Sequence, residues 1–164
     1  MGGLWFTEQD AGKIGRLEPP AMSTRPVNTS AHLDSVLTLT GSPEPFAALP
    51  KGLAVDHQGN IYVGEDSVNG LGRIVHIFDP QGKPLATRGG GPGSGAGQFN
   101  YITTLAVDEQ GNVYVADFEN MRIQKFDARG QFVTQWPTEP PAGPVGIELN
   151  SAGHVTSTSS TMAA

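Results

Sequence analysis

The 164-residue chain contains no cysteine, which excludes a disulfide framework, a thiolate nucleophile and a cysteine-bound zinc. The same absence leaves the compartment open. Basic residues are few, with 10 Lys and Arg against 16 Asp and Glu for a net charge of −6, and they are scattered along the chain. Neutralising a phosphate backbone needs clustered cations, so nucleic acid is not an expected partner. No run approaches 18 apolar residues, and residues 1–20 lack a basic start followed by an apolar stretch. Neither a membrane segment nor a signal peptide is therefore expected, and localisation is not legible. Helical periodicity is missing too, since no window keeps apolar residues at helical spacing beyond one or two turns. Turn formers are what the chain does have: 22 Gly and 13 Pro, together below the roughly 25–30% typical of low-complexity sequence. Short strands joined by frequent turns fit that composition.

Residues 53–63 (LAVDHQGNIYV) and 105–115 (LAVDEQGNVYV) are nearly the same sequence, offset by 52. A shorter third copy begins at 146–155 (GIELNSAGHV), and residues 2–8 (GGLWFTE) match 111–117 (GNVYVAD). An internal repeat of this length is one supersecondary unit that buries its faces only by stacking on its neighbours. Within the second copy, apolar runs at 104–108, 112–117, 122–127 and 131–135 are separated by turns at 108–112 and 127–130, and the copy at 53–90 has matching turns at 56–60 and 79–82. Asp caps its own backbone in such turns and Gly supplies positive φ. Four short antiparallel strands per unit predict an all-β fold, a β-propeller of four-stranded blades. Trp5, Phe6, Ile61, Tyr62, Val63, Val113, Tyr114 and Val115 are the expected buried residues of the second strands.

The segments Gly97-Gln-Phe99, LAVD at 105–108, GNVYVAD at 111–117 and NMRIQKFD at 120–127 resemble an NHL repeat. The copy at 46–91 resembles one as well, with Pro50-Lys-Gly52 ahead of the inner strand. It departs at the longer loop of 64–73, and 73–79 is one residue longer than 122–127, for which a bulge is expected. In the second copy, Ile102 and Thr104 stand where the family usually has Pro and Gly. Residues 4–17 are similar to blades of virginiamycin B lyase, a propeller related in repeat style. The resemblance implies a TolB-like six-bladed ring, of which about three blades are present. The expected organisation is one propeller segment, 1–164: a partial blade at 1–45 with a polar loop at 18–36, blades at 46–91 and 92–136, and a partial blade at 137–164. Aligned copies give 13 strands, with a frayed last strand, where four blades need 16. A window of a larger ring is preferred over chains that complete a ring together. Open blade faces predict self-association.

Loops after the second strands and between blades gather at one mouth of a propeller. Candidate ligand-binding residues there are Glu8, Glu65, Asp66, Asn69, Asp117, Glu119, Asn120 and Arg122, with Asp10, Ser67 and the glycine-rich connector 88–98 beside them. This acidic rim would suit a cation or cationic ligand; alternatively Asp117 and Asn120 fold the turn back and pair with Arg122, leaving Glu65 and Glu119 freer. The glycine run lacks the strand-to-helix context of a phosphate cradle and reads as a flexible connector. His57 and His154 fall in turns, His76 in a third strand and His32 in the polar loop, so they do not converge on a metal, and no catalytic residue is assigned. NHL-type propellers include a peptide-amidating lyase with metal-bound histidines, and virginiamycin B lyase uses a metal with His and Glu; neither set is identifiable at matching positions. The preferred reading is a non-catalytic module that binds protein, peptide or a small ligand at the mouth, with no cofactor evident. The alternative is a fragment of a metal-dependent propeller lyase or lactonase, which would require a divalent metal.

Overall fold

The repeated DxQGNxY segment folds as a self-contained turn. Asp108 Oδ1 accepts hydrogen bonds from the amides of Gln110 (3.0 Å) and Asn112 (2.8 Å), while its Oδ2 accepts from Asn112 Nδ2 (2.7 Å) and the Tyr114 hydroxyl (3.1 Å). Gly111 completes the reversal at φ 80°, a region open to glycine at little cost. Asp56 makes the same four bonds, to Gln58, Asn60 twice and Tyr62. Asp79 and Asp127 use the simpler version, each capping the amides two and four residues on.

The computed structural model describes residues 4–8, 13–17, 49–66, 73–150 and 153–160, with the first two segments and Leu49 described by backbone alone. Among these residues there are twelve strands and no helix. A two-stranded sheet pairs β1 (Leu4–Glu8) with β2 (Lys13–Leu17). The first complete blade is β3 (Leu49–Val55), β4 (Ile61–Asp66), β5 (Ile74–Phe78) and β6 (Pro84–Arg88), in that spatial order. The second is β7 (Ile102–Val107), β8 (Val113–Asp117), β9 (Arg122–Phe126) and β10 (Phe132–Pro137). The last sheet pairs β11 (Gly143–Leu149) with β12 (Val155–Ser160). All pairing within the sheets is antiparallel, and the sheets are propeller blades.

β4 and β8 are inner strands of their blades and are buried at every position. Ile61, Tyr62, Val63, Val113, Tyr114 and Val115 are all in the core, as their place after the turns predicts. Trp5 and Phe6 fall in β1, where only the backbone is described. Between the complete blades, Tyr62, Val75 and Ile77 of the first pack on Phe99, Ile102, Leu105, Val113, Val115 and Phe126 of the second. Burying each such side chain contributes about 1.5–3 kcal/mol, so this junction adds substantially to stability. The inner strands meet at Gly52, where a Cβ would stand 2.9 Å from Thr104 Cα.

Three expectations change. No bulge interrupts the pairing of β4 with β5, where Glu65 lies opposite Ile74 and the extra residue leaves Arg73 outside the ladder; the one register shift along β5 is in its pairing with β6, between Ile77 and Phe78. The last strand is not frayed, because β12 continues through Ser160. The glycine-rich connector is tied down at several points rather than free. Ile102 and Thr104 do not disturb the start of β7, which carries a register shift between Ile102 and Leu105 just as β3 does between Pro50 and Gly52. The third strand expected in the N-terminal copy and the polar loop 18–36 lie outside the described residues.

Candidate functional site

β4 and β8 end at the same rim of the two blades, and their last residues are acids. Asp117 is fully buried. Its Oδ2 accepts from Arg122 Nε (2.8 Å), Asn120 Nδ2 (2.8 Å) and Gln124 Nε2 (3.2 Å), and its Oδ1 from the Asn100 amide (2.6 Å). Arg122 then spends its remaining donors on the connector, bonding the carbonyls of Ser94 (2.8 Å), Gly95 (3.0 Å) and Gln98 (3.0 Å), and on Gln135 Oε1 (3.0 Å). Gln124 holds the same loop from both sides, accepting from the Gly97 amide (2.8 Å) and donating to the Gln98 carbonyl (2.7 Å), while Asn120 donates to the Gly93 carbonyl (2.9 Å). Asp117, Asn120 and Arg122 are thus engaged in fastening the glycine-rich connector to the blade. Buried charge is tolerated there because every donor and acceptor of the pair is matched.

The first blade carries different chemistry at the same level. Ile74 sits where Arg122 does, and His76 where Gln124 does, as the registers Glu65↔Ile74 and Asp117↔Arg122 show. Glu65, in the place of Asp117, pairs through Oε2 with His76 Nε2 at 2.6 Å, and both side chains are buried. Glu65 Oε1 is buried and accepts no hydrogen bond among the described residues. Next to it, Asp66 faces Arg73, with Nε 3.4 Å from Oδ1. Burial pushes the Asp66 carboxyl above its ordinary value, with Glu119 adding to the rise, although the Arg73 and Lys51 charges pull it back. Arg73 also donates to Asn100 Oδ1, and the Asn100 amide bonds Asp117, so one polar seam runs from Asp66 through Arg73 and Asn100 to Asp117 across the junction.

Tyr101 forms the lip beside this seam. It adopts φ 72°, unusual for a bulky residue, while its carbonyl accepts from the Phe118 amide (2.9 Å) and its ring packs edge-on against Phe118. Lys51 Nζ lies 5.7 Å from the same ring. Glu119 is exposed at the tip of the β8–β9 turn. Of the candidates, the structure brings together Glu65, Asp66, Asp117, Glu119, Asn120 and Arg122. Glu8 closes β1 with only its backbone described, and Asn69, Ser67, Asp10 and His32 lie outside the described residues. Lys51, Arg73, Asn100, Tyr101 and the His76 pairing were not anticipated. Counting the extra residue between Arg73 and Asp79 would have exposed the His76 pairing, since it moves Ile74 into the seat of Arg122. No cluster of three His, Asp or Glu side chains with metal-ligand geometry occurs among the described residues. His76 is engaged by Glu65, whereas His57 and His154 sit in turns at the opposite end, so the described histidines do not converge on one site.

Residues 99–126 match the NHL repeat. The chain is 33% identical over 138 residues to peptidyl-glycine alpha-amidating monooxygenase B of Xenopus laevis, covering 82% of this chain and 15% of that protein. It is 32% identical over 91 residues to a probable peptidyl-alpha-hydroxyglycine alpha-amidating lyase of Caenorhabditis elegans, covering 53% of this chain and 25% of the relative. Among solved structures, a gluconolactonase of Xanthomonas campestris superposes with TM-score 0.65 at 18% identity, over 96% of this chain and 50% of that one. A streptogramin B lyase structure superposes with TM-score 0.58 at 18% identity, over 95% and 50%. The chain therefore spans a quarter or less of these curated relatives and half of these solved propellers.

Proposed function

We propose that this NHL-repeat propeller segment is a non-catalytic binding module whose mouth takes a cationic or amide-bearing ligand such as a peptide. The observation that carries the reading is the contrast at the rim. Asp117 is saturated by four donors, whereas Glu65 Oε1 is a buried acceptor left without a donor among the described residues, and its chain neighbour Asp66 feels the exposed Glu119. A ligand N–H reaching that oxygen would supply the donor that the described residues do not, and a hydrogen bond to a charged group contributes about 1.5–3 kcal/mol. Nuclear magnetic resonance titration with an acetylated, amidated Gly-Lys-Gly peptide tests this. Shifts should concentrate on Lys51, Glu65, Asp66, Tyr101 and Glu119, and weaken in Glu119→Lys; shifts scattered over the surface would remove the reading.

A second reading, a fragment of a divalent-metal-dependent lyase, is supported by the sequence match to the amidating proteins. It predicts that the chain with zinc converts a peptidyl-α-hydroxyglycine to the peptide amide. Absence of turnover under conditions where the Gly-Lys-Gly shifts are seen favours the binding module.

A further inference from the structure

The arginines whose side chains are described divide into two kinds. Arg73 and Arg122 pair with buried acids at the mouth, at 3.4 and 2.8 Å. Arg88 and Arg129 form no ion pair with any described residue, although the chain carries 16 acids against 10 bases. The junction of the two complete blades brings this second kind together. Arg88 closes β6 of the first blade, Arg129 stands in the β9–β10 turn of the second, and both line one pocket of about 350 Å³. We propose that this pocket is an anion site, separate from the mouth, that takes a phosphate monoester.

Arg88 is held in place by the turn it faces. Its Nη1 donates to the Thr87 carbonyl (3.0 Å), its Nη2 reaches the Ala128 carbonyl (3.4 Å), and its Nε is buried with no acceptor among the described residues. The side chain lies over Gly130, where a Cβ would stand 2.2 Å from Arg88 Cδ and 2.3 Å from Nε, so the bare glycine is what leaves room for it. A guanidinium seated in this way offers its remaining Nη hydrogens in fixed positions. The Arg129 guanidinium is exposed beside it, and only its backbone amide is engaged, by Asp127 Oδ1 at 3.0 Å. Asp127 spends that oxygen on the amides of Arg129 and Gln131, and no acidic side chain lines the pocket.

The class of ligand follows from the donors and the wall. Two guanidinium forks with few of their donors used suit a phosphate monoester, which brings three terminal oxygens and nearly two charges, better than a carboxylate with two oxygens and one charge. Phe132, half-exposed, meets the buried Phe126 edge-on at 6.1 Å in the same pocket, which gives the body of the ester an apolar wall. The repeat itself does not ask for these cations. The equivalent turn of the first blade has Gln81 in the place of Arg129, and the second blade has Trp136 in the place of Arg88. The pair belongs to this one junction.

The test is a nuclear magnetic resonance titration of the 164-residue chain with phenyl phosphate, compared with inorganic phosphate, with benzoate and with methyl phenyl phosphate, which keeps the ring and loses one charge. Phenyl phosphate should move the amides of Gly89, Gly90 and residues 127–132, leave those of Glu65 and Glu119 in place, and bind about fivefold more tightly than each comparator. Arg129→Gln copies the residue that the first blade carries in its own turn, so it should fold, and it should weaken phenyl phosphate about fivefold. Arg88→Lys keeps the charge but loses the fork, and should weaken it about tenfold. Inorganic phosphate bound as tightly as phenyl phosphate overturns the ester, and benzoate or methyl phenyl phosphate bound as tightly overturns the doubly charged group. Shifts scattered over the surface, or affinity unchanged in both variants, overturn the site.

Discussion

The two complete blades share a turn, a strand register and a core, yet differ at the one layer where ionisable groups are buried. In the second blade Asp117, Arg122 and Gln124 form a closed network that fastens the connector. In the first, Ile74 replaces the arginine, His76 replaces the glutamine, and the acid is a longer Glu65 that reaches the imidazole at 2.6 Å. The blade without the buried arginine carries its guanidinium one residue earlier, as Arg73, which reaches outward to Asp66 and across to Asn100. The same scaffold position is thus fully bonded in one copy, while in the other one carboxylate oxygen has no donor among the described residues.

The sharpest way to break that comparison is to remove each arginine. Arg122→Ala strands Asp117, and deleting one partner of a buried pair costs about 3–5 kcal/mol, so the urea midpoint should fall steeply. Arg73→Ala removes a partly exposed partner and should cost about 1 kcal/mol or less. Equal losses would mean that both arginines are structural. Exchanging the third-strand residues is the next test. Gln124→His should destabilise by about 1–3 kcal/mol, because one imidazole cannot replace an amide that donates to the Gln98 carbonyl and accepts from Gly97 while also reaching Asp117. A Gln124→His chain as stable as the parent would remove the fastening role from that side chain.

Titration separates acids that folding strains from acids that folding satisfies. Asp66 is raised by burial, so between 3.8 and its folded value the unfolded chain loses the proton first and stability falls as pH rises. Asp108 goes the other way. Burial would raise it, but the bonds from Asn112, Tyr114 and Gln110 outweigh that and hold it low, so its contribution is present above 3.8 and is lost as pH falls through the folded value. Denaturation midpoints across acid pH should therefore flatten in opposite senses in Asp66→Asn and Asp108→Asn. Slopes that change in the same sense for both variants would contradict the assignment.

How much of this was legible in the sequence differs by level. The turns were, because Asp, Gly and Asn at fixed offsets determine their own bonding, and with them came the strands and the burial of β4 and β8. The mouth residues were legible as a set, since loops of one kind gather at one end. Which of them would be saturated was not, because that depends on contacts distant in sequence: Asn100 reaches Arg73 and Asp117, and Gln98 reaches Arg122 and Gln124, over 17 to 27 residues of separation.

The smallest effect concerns the turn that the two blades share. Burial, the Asp56 charge and the hydrogen bond from the Tyr62 hydroxyl to Asp56 Oδ2 push the Tyr62 phenol from 10 up to about 12, with Arg88 pulling slightly against them. The folded chain keeps that proton after the unfolded chain has lost it, so stability should fall as pH rises from about 10 to 12. Asp56→Asn keeps an acceptor at the same place while removing the charge, and it should bring the Tyr62 titration part of the way back toward 10 in ultraviolet difference spectra, leaving burial and the hydrogen bond as the remaining causes of the rise. An unmoved titration in that variant would mean that burial alone sets the value, and that Asp56 serves only to close the turn.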